Sequence, residues 1–233
     1  MASNSKGFAI GCANLNVALT GKVSRSDFEG TSYQFFETSL RPDLTIMLRY
    51  GDLPDLKDWQ LVFDSGNVWQ LHRNEKHWAF SLFSPFFEGR YQTLIVDLNL
   101  THGTLFTLPS HNQNSACLTV NSLLSKFVVL LLAQRQHGLM MHACAVADHG
   151  AGRLFCGVSG AGKSTLARFW QNQPGVHVLS DDRVILTRQD GRFWIYGTPW
   201  PGEVGAVSPL GVPLEQVFIL EHALQDTATP INP

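Results

Sequence analysis

The sequence predicts an α/β protein of the α+β kind, in which a β-rich N-terminal lobe precedes a phosphate-binding domain. Three observations lead to this fold class: strand-like segments across residues 8–108, one apolar helical pattern near residues 120–138, and a strand, a glycine-rich turn and a helix within residues 154–170. With 233 residues, 44% of them hydrophobic, the chain can bury a sizeable core. We therefore divide it into a lobe (1–117), a connecting helix (118–138) and a second domain (139–233).

The composition narrows the classes of partner. A net charge of −2 offers no basic field for nucleic acid or an acidic membrane surface, so we expect neither. Residues 1–7 are polar and lack the apolar core of a signal peptide, and the longest apolar run, 127–133, falls far short of the roughly 20 residues that span a bilayer. Four scattered cysteines without metal-ligand spacing favour a reduced, cytoplasmic protein. A homo-oligomer is left open.

The N-terminal lobe consists of short segments with strand-like composition, separated by turn residues. Antiparallel hairpins are the expected arrangement. Its aromatic residues could form a stacking surface for sugars or bases, but aromatics at strand spacing are more often core. Its histidines (His72, His77 and His102) are too far apart to indicate a metal site. The predicted strands are 8–17, 33–38, 45–50, 60–64, 68–73, 78–83 and 93–98, and the aromatics are Trp59, Trp69, Trp78, Phe80, Phe83, Phe86 and Phe87.

A buried helix follows the lobe. Apolar residues recur at spacings of three and four, Asn121 or Ser122 can cap its start, and Gly138 suits its end. The apolar positions are Val120, Leu124, Phe127, Val128 and Leu131. We expect this helix to join the two lobes.

The strongest motif in the chain matches the phosphate-binding pattern G-x-x-x-x-G-K-[ST]. Apolar residues 154–156 precede it as a strand would, and an amphipathic pattern follows it as a helix would. In such a loop, backbone N–H groups point at phosphate oxygens, Lys163 reaches the outer phosphates, and the Ser164 hydroxyl holds a magnesium ion. The residues expected to bind the nucleotide are Gly157, Ser159, Gly160, Ala161, Gly162, Lys163, Ser164 and Thr165.

His142 lies in a strand-like segment, residues 139–147, ahead of this loop. A glycine-bearing turn at 148–152 predicts a hairpin that sets Cys144 opposite Cys156 and His142 opposite Val158, at the mouth of the loop. A satisfied core histidine is the alternative. A register slip of one residue would turn His142 to the other face.

Two adjacent carboxylates, Asp181 and Asp182, follow the apolar strand 176–180. A strand that leads back from the helix runs parallel to the strand before the loop, so its carboxyl end reaches the same edge of the sheet. One carboxylate can hold the metal and the other can accept a proton from an attacking hydroxyl. Because Asp also favours turns, a structural turn is the alternative.

The remaining segments are a hairpin (183–188 and 193–196), a Pro- and Gly-rich loop and a last strand (214–220). The loop, 197–203, is rigid and presents Trp200, which we expect to be exposed. Glu203 could assist the metal or orient a substrate, or form only a turn. The chain stops soon after the last strand, so we expect the domain to be truncated at its C-terminus.

Residues 141–203 resemble the HPr kinase/phosphorylase family, whose fold is shared with ATP-dependent phosphoenolpyruvate carboxykinases. The resemblance rests on His142, the glycine loop and the Asp181-Asp182 pair. It implies a mixed-sheet kinase domain in which Asp181 is the catalytic base with His142 near it, and Ser164 and Asp182 handle magnesium. Thr165 replaces the usual Glu, and residues 197–203 replace an Arg-Gly-containing signature. This variant is similar to HPr-kinase-like proteins found beside peptide-modification genes.

The resemblance implies Mg²⁺- and ATP-dependent transfer of phosphate to a serine-type hydroxyl of a peptide, protein or small molecule. The alternative is an adaptor or regulator that binds ATP without transferring phosphate. An ABC-type or motor ATPase is disfavoured, because those chains place the acidic strand much further from the loop.

Overall fold

The computed structural model describes residues 8–21, 31–84, 89–108, 116–225 and 227–231. They form a strand-rich α+β protein with two sheets and, within these ranges, two α-helices. The chain divides into two compact units, Met1–Leu139 and Met140–Pro233. Phe86, Phe87 and the polar residues 1–7 lie outside the described residues, and so do the side chains of Asn121 and Ser122.

The first unit contains an eight-stranded mixed sheet and helix α1 (Ala116–Gln134). The strands lie in the order β1-β2-β3-β8-β7-β6-β5-β4, with β2–β3 and β3–β8 parallel and the other pairs antiparallel. Their bounds are β1 (Phe8–Cys12), β2 (Leu15–Gly21), β3 (Leu44–Tyr50), β4 (Gln60–Asp64), β5 (Trp69–Arg73), β6 (His77–Ser84), β7 (Gly89–Asp97) and β8 (His102–Thr107).

The core of this unit follows from alternation along its strands and from helical spacing on α1. In β3, Leu44, Ile46 and Leu48 are buried, whereas Met47 between them is exposed. On α1, Phe127 is buried and its ring meets that of Phe80 from β6 in an edge-on contact at 6.4 Å. The expectation that strand-spaced aromatics form core is met at this contact.

Two strand predictions in the first unit are wrong. Residues 8–17 are not one strand, because Ala13 and Asn14 have φ values of 51° and 62°, which reverse the chain between β1 and β2. Residues 33–38 were expected as a strand, but Thr31–Phe36 is a 3-10 helix. Its buried residues, Tyr33 and Phe36, are three positions apart, which matches the period of a 3-10 helix rather than that of a strand.

The second unit contains a seven-stranded sheet and helix α2 (Lys163–Gln171). The strands lie in the order β12-β10-β11-β15-β14-β13-β9. Their bounds are β9 (Gly138–His142), β10 (Cys144–Asp148), β11 (Ala151–Cys156), β12 (Val176–Ser180), β13 (Arg183–Gln189), β14 (Arg192–Tyr196) and β15 (Gly211–Ile219). β11 and β15 are parallel, so the sheet is mixed, as expected.

The two carboxyl ends that matter to the site lie at the same edge of this sheet. β10 is antiparallel to both β11 and β12, so β11 and β12 run in the same direction with β10 between them. The glycine loop (residues 157–162) follows β11, and Asp181 and Asp182 follow β12. The predicted parallel direction is therefore confirmed.

The predicted hairpin around residues 148–152 forms, but in another register and with a shorter first strand. Cys144 faces Phe155 rather than Cys156, a slip of one residue. Residues 139–147 form two strands, because the N–H of Ala143 leaves the ladder and donates to the backbone oxygen of Asp182. His142 therefore belongs to β9, which lies next to β13, and its predicted pairing with Val158 is wrong.

Candidate functional site

A polar cleft of about 570 Å³ opens at the edge of the second unit's sheet. It brings together residues from β9, the glycine loop, α2, the turn after β12 and the loop 197–203. Ten of the residues predicted as functional line it, namely His142, Ser159, Gly160, Gly162, Lys163, Ser164, Thr165, Asp181, Asp182 and Glu203. Gly157 and Ala161 do not line the cleft, although both were expected to bind the nucleotide.

Gly157 and Ala161 instead close the base of the glycine loop. The N–H of Ala161 donates to the oxygen of Val158, which makes a tight turn. A Cβ at Gly157 would lie 2.9 Å from the Cβ of Ala161, so only glycine permits this packing. Gly160 and Gly162 have φ values of 84° and 97°, a left-handed conformation that favours glycine.

The glycine loop leads directly into helix α2, whose first residues line the cleft. Gly162 is the residue before the helix and provides no side-chain cap. The first intrahelical bond is donated by the N–H of Leu166 to Gly162. The amides of Lys163, Ser164 and Thr165 precede it, and such first-turn N–H groups, together with the helix dipole, can bind an anion.

Lys163 is buried against the loop that it follows. Its side chain is only 6% exposed, and its Nζ donates to the backbone oxygens of Gly157 at 2.8 Å and Val158 at 2.9 Å. The ammonium group therefore lies inside the curve of the glycine loop. A phosphate at this position would offer stronger, charge-assisted acceptors for the same donor.

Asp181 is buried and fastens the loop 197–203 to the end of β12. Its Oδ1 accepts the N–H of Gly202 at 3.0 Å, and its Oδ2 accepts the N–H of Val204 at 2.7 Å. Two backbone bonds fix the plane of this carboxylate in the cleft. An orientation fixed in this way suits a group that must meet a reacting hydroxyl in one geometry.

Gly202 is a further site residue that the motif analysis did not single out. A Cβ there would lie 2.6 Å from Oδ2 of Asp181 and 2.9 Å from the Cβ of Asp182. Because those distances are shorter than van der Waals contact, only glycine brings the loop this close to both carboxylates. The sequence Pro-Gly-Glu indicates a turn that contains a glycine. It does not indicate that this glycine contacts Asp181 and Asp182.

Asp182 forms a cluster with His142 and Arg183. The Nδ1 of His142 lies 2.8 Å from Oδ1 of Asp182 and 3.1 Å from its backbone oxygen, and the Nε of Arg183 lies 3.3 Å from Oδ2. His142 was expected beside Asp181, yet its ring pairs with the neighbouring carboxylate. Nε2 of His142 has no hydrogen-bond partner among the residues that the structure describes.

Glu203 and Arg168 face each other at the mouth of the cleft. Their charged groups are 4.0 Å apart, and both side chains are largely exposed. Arg168 was not predicted as a site residue. Trp200, from the same loop as Glu203, was expected to be exposed, but it is only 5% exposed. In this loop the buried Trp200 packs against the rest of the unit, and Glu203 is the exposed side chain.

The charged groups of the site also affect the pKa of a buried thiol, Cys144. Burial raises the pKa of Cys144 to about 12, the nearby Asp181 carboxylate adds to the increase, and Lys163 opposes it. A second thiol, Cys156 at the end of β11, also has a raised pKa because of burial, with Lys163 again opposing. Both thiols remain protonated near neutral pH and act as packing residues.

The donor set of the cleft fits Mg²⁺ bound together with phosphates. The Ser164 hydroxyl and the carboxylates of Asp181 and Asp182 are hard oxygen donors that line the same cleft. Within the described ranges, three or more His, Cys, Asp or Glu side chains are nowhere grouped closely enough to hold a metal by themselves. Mg²⁺ in nucleotide sites commonly takes one or two protein ligands, and phosphates and waters complete its shell.

Part of the chain matches a model of a known protein family. A family model described as SynChlorMet cassette protein ScmC matches residues 107–233, which is more than half of the chain and includes the whole cleft. None of the curated proteins matches the chain. In the described part of the structure, neither helix is both long enough and apolar enough to cross a membrane.

Proposed function

The chain belongs to the family of the SynChlorMet cassette protein ScmC. From the geometry of its cleft, we propose that this member is a Mg²⁺- and ATP-dependent kinase. It transfers the γ-phosphate of ATP to a serine-type hydroxyl of a peptide, protein or small molecule in the cytoplasm. The resemblance of residues 141–203 to HPr kinases supports this assignment. The observation that carries it is one cleft that combines Lys163 and Ser164 with Asp181, Asp182 and His142.

The phosphate chain of ATP would lie against the glycine loop. Lys163 would exchange its two bonds to the loop oxygens for bonds to the outer phosphates. The first-turn amides of α2 would bind phosphate oxygens through the positive end of the helix dipole. Mg²⁺, held by Ser164 and Asp182, would supply charge neutralisation at the phosphates.

The transfer itself needs a proton acceptor near the incoming hydroxyl. The acceptor oxygen forms a bond to the γ-phosphorus, the bond between the γ-phosphorus and the bridging oxygen breaks, and ADP leaves. Asp181 receives the hydroxyl proton, and its bonds to Gly202 and Val204 keep the carboxylate in place. His142, paired with Asp182, holds that second carboxylate in position.

One observation favours the alternative, an ATP-binding adaptor without transferase activity. Asp181 is 2% exposed and both its oxygens already accept backbone N–H groups, as a purely structural carboxylate would. The two functions differ in one measurable outcome, the appearance of a phosphorylated acceptor.

The first test compares wild type with Asp181→Asn in the presence of γ-labelled ATP, Mg²⁺ and pools of hydroxyl-bearing peptides and metabolites. Loss of the base is expected to lower the rate of labelling by about 10²- to 10⁴-fold, while ATP affinity stays within a few fold. Asp190→Asn, in the exposed β13–β14 turn, is the matched control and keeps full activity. ATP binding without any labelled acceptor would instead support the adaptor.

The second test examines nucleotide binding itself. Lys163→Ala removes the only ammonium group that the described residues place in the cleft, so ATP affinity measured by calorimetry should fall by at least tenfold. Lys76→Ala, on an exposed turn of the first unit, is the matched control. Undiminished ATP affinity in Lys163→Ala would contradict the assignment of the glycine loop as a nucleotide site.

A further inference from the structure

A second cavity lies in the first unit and belongs to a different kind of site. Its volume is about 230 Å³, and it lies between helix α1 and strands β5 and β6. Apart from Gln134, whose amide nitrogen already donates to the oxygen of Leu98, its lining side chains are apolar. The proposed kinase reaction uses none of these residues.

The floor and wall of this cavity are held rigidly. Phe80 and Phe127 are buried and packed edge to face, and the ring of Trp69 lies 5.0 Å from that of Phe80. Such an aromatic floor does not collapse into the space above it. An apolar cavity supported in this way stays available for an apolar ligand.

Leu100 forms another wall in an unusual backbone conformation. Its φ is 54°, in the left-handed region that non-glycine residues rarely adopt, yet its side chain is only 4% exposed. The turn is held by Asp97, whose carboxylate accepts the N–H and hydroxyl of Thr101 and the N–H of His102. These hydrogen bonds fix the turn and with it the Leu100 side chain at the cavity wall.

A cation lies against Trp78, one of the side chains that line the cavity. The guanidinium of Arg73 is 5.0 Å from the centre of the Trp78 ring, and Trp78 lines the cavity. Arg73 is exposed and has no carboxylate partner in the part of the chain that the structure describes.

We propose that this cavity binds a small monocarboxylate, whose apolar body fills the space between α1 and the sheet and whose carboxylate pairs with Arg73. The size is suitable, because an apolar protein cavity of about 150 Å³ already accommodates benzene. An apolar space with the Arg73 guanidinium beside it complements an aliphatic or aromatic carboxylate better than a neutral or cationic amphiphile. This site is independent of the nucleotide cleft.

The test is calorimetric titration of the full chain with octanoate, and with 1-octanol as the neutral partner of equal length. Octanoate is expected to bind about fivefold more tightly than 1-octanol, because the octanol cannot pair with Arg73. Hexanoate, which is two methylene groups shorter, is expected to bind about fifteenfold more weakly than octanoate, because each methylene group transferred from water adds about 0.8 kcal/mol. Equal binding of octanoate and 1-octanol, or no heat of binding for octanoate, would overturn the proposal.

Two variants locate the binding. Ala133→Phe fills the cavity from α1 and should abolish octanoate binding, whereas Val129→Phe adds the same ring at an exposed position of α1 outside the cavity and should leave it unchanged. Arg73→Gln changes an exposed side chain, so the fold should be kept, and octanoate and 1-octanol should then bind with equal affinity. If Ala133→Phe proves unfolded by circular dichroism, Arg73→Gln still decides, and an unchanged preference for octanoate would refute the site.

Discussion

At the scale of single residues, the geometry of the cleft depends on a glycine, Gly202. Gly202 is the point at which the loop 197–203 touches Asp181, and it donates one of the two backbone bonds that orient that carboxylate. A methyl group there would overlap Oδ2 of Asp181. The position of the proposed base is therefore set by a neighbour that has no functional group of its own.

Gly202→Ala is expected to displace either the loop or Asp181. The overlap should cost about 1–3 kcal/mol of unfolding free energy in urea, and phosphotransfer should fall by more than tenfold while ATP affinity is largely kept. Gly205→Asn is the matched control, since no atom lies within 4 Å of a Cβ there and Asn tolerates a φ of 76°. Wild-type activity in Gly202→Ala would show that the contact does not position the base.

The thiol of Cys144 makes stability depend on alkaline pH. Its pKa is about 12 in the folded protein against 9.0 for the free side chain, so only the unfolded state loses this proton between pH 9 and 12. The contribution is fully present below pH 9 and is lost as the pH rises through this window. By pH 10 the loss of this contribution amounts to about 1.4 kcal/mol.

Urea unfolding of wild type and Cys144→Ala at pH 7.5 and 10 measures this contribution. The difference in unfolding free energy between the two proteins should shrink by about 1.4 kcal/mol at pH 10, because the alanine variant has no thiol to titrate. Taking the difference removes the effects of tyrosine and lysine titration. A difference independent of pH would mean that Cys144 ionises normally in the folded protein.

At the scale of elements, the start of helix α2 is a strained junction. Gly162 has a φ of 97° and open space around it, so a substitution there is opposed by the backbone alone. Gly162→Ala should lower the unfolding free energy by about 1–2 kcal/mol and weaken ATP binding, because the first-turn amides would move. Gly162→Asn should be milder, since asparagine enters the left-handed region more readily. Equal effects of the two substitutions, measured by calorimetry, would contradict this explanation.

The order of strand, glycine loop and helix could be read from the sequence, because it depends on local composition. The register of β10 on β11 could not, since a slip of one residue keeps apolar residues on both faces of a buried strand. The separation of β9 from β10 was also missed. The break between these strands depends on one long-range hydrogen bond, from the N–H of Ala143 to the backbone oxygen of Asp182. Local sequence patterns do not predict such a bond.

In the site, too, residues in local motifs could be predicted from the sequence, and long-range contacts could not. Lys163, Ser164, Asp181 and Asp182 were found by motif and spacing, and they do line one cleft. The partner of His142 and the roles of Gly202 and Arg168 depend on which loop crosses the cleft, and sequence spacing does not specify that. The burial of Trp200 was likewise unpredictable, because a loop tryptophan can serve either as an anchor or as a contact surface.

At the scale of the whole molecule, the two units have separate sheets and cores, so each can unfold cooperatively. We expect calorimetry to resolve two transitions. Phe127→Ala should lower the midpoint temperature of the first unit's transition only, because removing this buried ring and leaving a cavity costs about 3–5 kcal/mol. Val129→Ala, which changes an exposed residue of α1, is the control for Phe127→Ala.

MgATP at about 100 times its Kd should raise the midpoint temperature of the second unit's transition only, by roughly 10 °C. A single transition that responds to both changes would contradict the prediction.

The pairing of β15 with β11 has a consequence for biosynthesis. β11 leads into the glycine loop, and its neighbour on one side is the distant β15, where Leu154 faces Val217 and Leu220 donates to Cys156. On the ribosome, Gly157 and Lys163 emerge long before β15 does. During that interval β11 has an open edge, so the nascent chain cannot hold the loop in its final shape. Nucleotide binding should therefore begin only after β15 has left the exit tunnel.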